Sequence, residues 1–457
     1  MKTKLLVGLV LACAILAVPD CGIAKPASLT PAQMRIFGET ALLKGYASQA
    51  LEIATALLKR DPQDASALVI QAQALRMLGQ LPQSEASARA AWKAAEQSST
   101  LRYAAATAVA QSLALQDKRA RAQLWLRRAA DDAPNAAMRN QAMEDFEFVR
   151  QQNPLNLRLN FLFRPSDNVN GGARDSSFVF RGIPFVLSGD ALALSGANWG
   201  AGLTGRYRLS ASPVGETALT FDLNHQGVVL SDKARQQAPT AKNGNYTLDH
   251  AEIGFEKLIG ADPAPGLAGQ WRVATTVGKT IYGGKPLSND YGASLGFDRR
   301  FKKLSLSFEA SLNTHDRQDN NISSSFDRAV GGNLSFRSKS GDLWRFSVTY
   351  QDVASSNINI DHTETNLTLG WQAAKPLAGI GIGATIGLKT ADFGASPYTA
   401  NGRQDRAIRA GFTAELTNLD YMGFMPVFGV DYSRSNSNLA LYDTSALGVN
   451  FSIKSQF

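Results

Sequence analysis

The residues GIGIGATIG at 379–387 have the glycine spacing of a dinucleotide-binding loop. Such a loop must open a helix, and none follows; Ile380, Ile382, Ala384 and Ile386 alternate instead with Gly or Thr. The segment therefore reads as a glycine-rich strand, and no cofactor is expected. The four histidines, His225, His250, His315 and His362, fall at or near the ends of predicted strands, with no pair at the helical spacing of a metal site. The polar stretch THDRQDNN (314–321) reads as a solvated external loop rather than a cation site. No nucleophile elbow is expected, and Cys13 and Cys21 both precede Ala24. Without a catalytic constellation, a metal or a cofactor, the residues argue against an enzyme.

The first residues, MKTKLLVGLVLACAILAVPDCGIAKPA, combine a basic start, an apolar stretch from Leu5 to Val18 and small residues at Gly22-Ile23-Ala24. This is the pattern of a secretory signal peptide over residues 1–24, and it implies a mature chain free of cysteine. The formal charge of +8 on 457 residues is spread along the chain, which points to a solvated surface and not to nucleic acid.

Two regions of different period follow. Residues 28–153 are rich in Ala, Leu, Gln and Arg and read as helices. Gly45 and Gly79 lie 34 residues apart, the tetratricopeptide period. The small residues of that pattern are Gly38, Gly45, Ala50 and Ala54 in a first unit that Pro62 stops, and Ala72, Gly79, Ala88 and Ala91 in a second. A looser third unit ends at Pro134. Gly ends the first helix of each pair, and small residues allow paired helices to approach. The expectation is a tetratricopeptide-like solenoid with a concave face for a peptide or partner.

Residues 155–457 alternate. In LSLSFEASLN (304–313), Leu304, Leu306, Phe308, Ala310 and Leu312 share one face, and Ser305, Ser307, Glu309, Ser311 and Asn313 the other. The region predicts about 14 such strands, most of them reaching the roughly 9–11 residues that cross a bilayer. Short connections such as SPVGE, RFKK and SKSGD alternate with long ones such as VLSDKARQQAPTAKNGN. The pattern predicts an all-β transmembrane antiparallel barrel over 155–457, with both ends on the short-turn side. Arg206, Arg208, Arg345 and Arg409 are candidates for charge in its lumen. The last residues, LGVNFSIKSQF, alternate to the chain end. A closed barrel explains this, since the last strand must pair with the first: an open edge in lipid leaves backbone groups unsatisfied at several kcal/mol each. Leu447, Val449, Phe451 and Ile453 then face lipid, and Gly448, Phe451, Ile453 and Phe457 belong to the closure.

A signal peptide, a small tetratricopeptide-like domain and a C-terminal barrel of about 14 strands together resemble the surface lipoprotein assembly modifier family. LRLNFLFRPSDNVN resembles that family's entry into its barrel, at Pro165, Asp167, Asn168 and Asn170, and FGVDYSRSNSNLALYDTSALGVNFSIKSQF resembles its last hairpin. The ending Ser-Gln-Phe departs from the expected basic residue before the aromatic. The resemblance implies an outer-membrane translocator of a Gram-negative bacterium with a periplasmic helical domain. It would deliver lipoproteins or small secreted binding proteins to the surface, with the polar faces lining a lumen. Its partners would be the client, the outer-membrane lipid and, through the terminal aromatic, the barrel-assembly machinery. A polysaccharide-export or passive diffusion porin with a periplasmic scaffold domain is the alternative.

Overall fold

The computed structural model describes residues 29–180, 183–260 and 269–455. The segment read as a signal peptide and the terminal Phe457 lie outside these residues. The chain forms two compact units, one ending at Glu96 and one beginning at Gln97.

The first unit holds α1 (Pro31–Leu43), α2 (Ala47–Arg60), α3 (Ala65–Met77) and α4 (Leu81–Ala94). Thr30 and Gln33 make a capping box at α1, and Asp64 caps α3. Gly45 and Gly79 sit at φ +82° and +76° just past α1 and α3. The next residues, Tyr46 and Gln80, donate back to the carbonyls of Ala41 and Leu75 at 2.8 and 2.9 Å. This closure needs a left-handed residue, which glycine adopts without steric cost. Ala50, Ala54, Ala72, Ala88 and Ala91 are fully buried. Gly38 is buried too, and a Cβ there would lie 3.2 Å from Ile70. Pro62 follows Asp61, the C-cap of α2.

The second unit starts with α5 (Ser99–Leu115), α6 (Arg119–Asp132) and α7 (Ala136–Gln152). The first helices of the three pairs, α1, α3 and α5, begin at Pro31, Ala65 and Ser99, 34 residues apart. The turn between α5 and α6 keeps the same closure, Lys118 donating to Leu113 at 2.9 Å, but its left-handed residue is Asp117 at φ 59°.

A closed antiparallel barrel of fourteen strands follows: β1 (Leu155–Ser166), β4 (Gly196–Ser212), β5 (Gly215–Leu230), β6 (Leu248–Ile259), β7 (Gln270–Tyr282), β8 (Lys285–Arg300), β9 (Leu304–Arg317), β10 (Ser325–Arg337), β11 (Leu343–Ser355), β12 (His362–Gln372), β13 (Ile380–Phe393), β14 (Arg403–Leu416), β15 (Phe424–Ser437) and β16 (Thr444–Ser455). The glycine-rich run at 379–387 lies largely within β13, as alternation predicts. Among the described residues no helix is long and apolar enough to cross a membrane; these strands are what can.

The connections differ from expectation at four points. The long link after β1 contains a hairpin, β2 (Ser177–Phe180) with β3 (Ile183–Val186), and the link after β5 contains a short helix, α8 (Asp232–Gln237). Leu194, Val228, Leu230, Ala234 and Ala238 bury one another between these two links, forming a small core at the barrel end opposite Leu155 and Ser455. On that same long-loop side, β7 and β8 are joined by only Gly283 and Gly284, both at positive φ, a tight hairpin turn. THDRQDNN is also partly strand, since β9 runs to Arg317.

Candidate functional site

Strand alternation divides the barrel wall into two faces. Outward are apolar side chains, including Leu157, Leu159 and Phe161 of β1 and Leu447, Val449, Phe451 and Ile453 of β16, all exposed. Aromatic residues mark both edges of this band: Trp199, Tyr291, Tyr350 and Tyr432 toward the loops, and Tyr207, Trp271, Trp344 and Trp371 toward the short turns. Such girdles sit at membrane–water interfaces.

The inward face is polar and carries paired charge. All four arginines singled out from sequence, Arg206, Arg208, Arg345 and Arg409, share it by register. Arg206 pairs with Glu216 and donates its Nε to Glu256 at 2.8 Å. Arg272 pairs with Glu309 at 2.9 Å, Lys389 with Glu364, and Lys454 with Glu415 at 2.6 Å. These ties span neighbouring or next-neighbouring strands.

Two histidines that look scattered in sequence meet here. His315 on β9 lies 2.7 Å from Asp290 on β8 through Nδ1 and 3.5 Å from Asp327 on β10 through Nε2. Thr280 and Ser288 donate to Asp290, Ser325 and Gln351 donate to Asp327, and His250 bonds Thr280 at 3.0 Å. The network spans β6 to β11. The alternation of each strand gives the common face of these residues; only the pairing register gives their neighbourhood. Among the described residues, no group of three or more His, Cys, Asp or Glu could hold a metal ion. The pentapeptide GASLG at 292–296 does have the Gly-x-Ser-x-Gly spacing, a correction to the sequence reading. It lies wholly inside β8, with Ser294 between Ala274 and Ser311, so it forms no strand–turn–helix elbow.

Of the residues expected at barrel entry and closure, Pro165, Asn168, Gly448 and Phe451 lie along the contact between β1 and β16, while Asn170 and Ile453 lie beside it. β1 pairs with β4 along its whole length, from Leu155 to Ser166. With β16 it makes three residue pairs, Leu162–Ser452, Phe163–Phe451 and Ser166–Gly448. Side chains extend the closure toward the loops. Asp167 Oδ1 accepts the backbone N–H of Leu447 at 2.8 Å, and Asn168 Nδ2 donates to the carbonyls of Ser445 and Gly172 at 2.9 and 3.0 Å. Gly448 lets the strands approach closely: a Cβ there would lie 2.9 Å from Arg164 Nε and 3.2 Å from the Pro165 carbonyl, displacing the arginine side chain. Asn170 ties the loop itself, donating to Leu192 O and accepting from Leu194 N, each at 2.9 Å. Phe451 packs against Phe428 with the rings tilted and their centroids 5.2 Å apart, and Ile453 is exposed opposite Pro426.

At the short-turn end the helices act as the clasp. Arg127 of α6 donates to Ser455 Oγ at 2.8 Å and to the Met422 carbonyl at 3.1 Å, and its guanidinium lies over the Phe146 and Phe424 rings. Burial in this contact pulls Arg127 below its ordinary value; Arg150 adds to the effect, while Asp420 and Glu147 oppose it. Arg139 of α7 pairs with Asp420, and Asp131 accepts the Met422 N–H at 3.2 Å. Nothing in the sequence singled out Arg127, whose partners lie some 300 residues away.

Residues 267–457 match the family described as Surface lipoprotein assembly modifier. The resemblance read from the sequence thus holds over the C-terminal part of the chain. No curated protein sequence matches. Among solved structures, a loop L8 deletion mutant of OmpT from Vibrio cholerae matches with 10% identity over 65% of this chain and 99% of its own, at a TM-score of 0.34. A BenF-like porin from Pseudomonas fluorescens Pf-5 shares 7% identity over 66% of this chain and 98% of its own, at 0.35. A bacterial polysaccharide outer membrane secretin shares 9% over 65% and 98%, at 0.33.

Proposed function

From the surface lipoprotein assembly modifier match carried by residues 267–457, we propose that this outer-membrane barrel delivers client lipoproteins or small secreted binding proteins to the cell surface. The observation that carries the reading is the joint between helices and barrel. Arg127, Asp131 and Arg139 fasten α6 and α7 to the β14–β15 turn and to the end of β16. A client held by α5–α7 would therefore be presented at the mouth of a lumen lined with paired charges.

In this reading the helical side is periplasmic. An even number of strands returns both barrel ends to one side, and the longer connections, with the small cap of α8 and the β2–β3 hairpin, belong outside. The helical repeats at 28–153 would act as a tetratricopeptide-like receiving domain, and the barrel-assembly machinery would read the terminal strand. The lumen offers a polypeptide hydrogen-bond partners and offers an acyl chain none. In this reading client folding outside, or other machinery, supplies the direction.

The test is co-expression with a candidate lipoprotein, followed by protease shaving of intact cells. Removal of residues 28–150 should abolish client display while the barrel stays inserted. Undiminished display would refute the role of the helices. Display that never depends on the intact chain would refute delivery and favour a diffusion or export pore.

A further inference from the structure

The outward wall is not uniformly smooth. A cavity of about 470 Å³ opens on it across β1, β4, β5, β6 and β7. Its floor is recessed because Ala201 and Ala251 stand where neighbours carry large side chains, and its sides are Leu159, Phe161 and Leu223. All of these have the outward parity of their strands. Leu159 and Phe161 belong to the stretch of β1 outside its three pairs with β16, so the groove borders the seam.

The rim of the groove is polar. His225 and Asp249, directly paired across β5 and β6, are joined Nδ1 to Oδ1 at 2.6 Å. His225 also packs on Trp199, ring centroids 4.8 Å apart. Lys279 of β7 completes the rim. Among the described residues, no carboxylate lies within ion-pairing distance of Lys279, whereas the outward Arg328 has Asp352 at 3.0 Å. Ionisable side chains on a lipid-facing wall cost about 2–4 kcal/mol at the midplane and about 0–1 near an interface. Between the girdle residues Trp199 and Tyr291, on strands that tilt around the barrel, these three groups stand at headgroup depth. There a cation is tolerated, and an anionic head group is its natural counter-charge.

We propose that this groove is a specific site for one anionic lipid of the surrounding leaflet, its acyl chain lying over Ala201 and Ala251 and its head group held by Lys279. Lipid tails gain no hydrophobic free energy on leaving other tails, so retention comes from close packing along the groove and from the head-group contacts. The floor and the rim are therefore both required. The His225–Asp249 bond and the Trp199 ring fix the imidazole as a wall of the rim, beside the Lys279 ammonium. The assignment goes beyond the delivery reading and stands independently of it: lipid retention can be measured with no client present.

The test uses the full chain, purified in mild detergent and examined by native mass spectrometry with added phosphatidylglycerol or phosphatidylcholine. One retained phosphatidylglycerol per barrel is expected, with about tenfold preference over the zwitterionic lipid, near 1.4 kcal/mol. Lys279→Gln should remove the preference, Ala251→Phe should remove retention of both lipids, and Lys257→Gln, an outward lysine lower on β6, should change neither. Folding of each variant is checked by its gel mobility before and after heating, and Lys279→Gln carries the test if Ala251→Phe does not fold. Retention that survives both variants, adducts without fixed stoichiometry, or selective retention of a triacylated lipopeptide in place of phosphatidylglycerol would overturn the proposal.

Discussion

The side-chain amide of Asn168 donates to the main-chain carbonyl of Ser445 at 2.9 Å, across 277 residues of sequence. Its carbonyl oxygen accepts the N–H of Gly172 at 3.0 Å. One buried side chain thus finishes the seam that three strand pairs leave short, and holds the loop that leaves β1. In a barrel, the first and last strands are the only neighbours joined by no turn, so closure depends on such contacts.

Replacing Asn168 by Ala should loosen the seam by about 1–3 kcal/mol, the cost of leaving buried backbone partners unsatisfied. The temperature at which the folded barrel loses its distinct mobility in unboiled gels should fall. Asn170→Ala, which frees loop residues 190–194 but not the seam, should raise protease sensitivity there with little effect on that temperature. Equal melting of Asn168→Ala and wild type would refute the role of the contact.

Asp117 occupies the left-handed turn position that glycine holds at residues 45 and 79. Asp117→Gly should stabilise the α5–α6 pair by about 0.5–1 kcal/mol, because a Cβ is disfavoured at that φ. The exposed Asp117–Arg119 ion pair that is lost contributes little. Thermal melting of the helical circular dichroism should move upward for Asp117→Gly and downward for Gly45→Ala. The opposite order would contradict the turn assignment.

Removal of the Arg127 side chain takes away donors to Ser455 and Met422 and a cation stacked between Phe146 and Phe424. Hydrogen bonds and cation–π contacts of this kind contribute about 1–3 kcal/mol. Arg127→Ala should leave the barrel folded but open the joint, seen as faster proteolysis of the β14–β15 turn. A digestion pattern identical to wild type would show that the clasp lies elsewhere.

Asp64 caps α3 through Ala67 N–H at 3.1 Å and receives Arg35 Nη2 at 2.7 Å, with its side chain only 2% exposed. Burial alone would raise its carboxyl; the hydrogen bonds from Arg35 and Ala67 and the charges of Arg35 and Arg60 outweigh it and hold the group below its ordinary value. The folded value lies below the unfolded one, so this stability is complete above the unfolded value of about 4 and disappears as pH falls through the folded value. Arg35→Ala should lower the melting temperature of the helical signal at neutral pH. The gap from wild type should close in acid; a gap unchanged at the lowest pH would exclude the carboxylate as its source.

The sequence by itself determined the elements. Alternation over stretches longer than a soluble strand located all fourteen barrel strands, because a wall that is oily outside and wet inside must repeat every second residue. Gly45, Gly79 and Pro62 marked helix ends because their backbone preferences act locally. The β2–β3 hairpin escaped because four-residue strands carry too short a pattern, and α8 because six residues show no period. Only the tertiary structure decided the neighbourhoods. Alternation gives the face of a side chain but not its register, so the His315 network, the Asn168 stitch, the Arg127 clasp and the lipid-facing groove at Lys279 appear only when fourteen strands are aligned and the first is closed against the last.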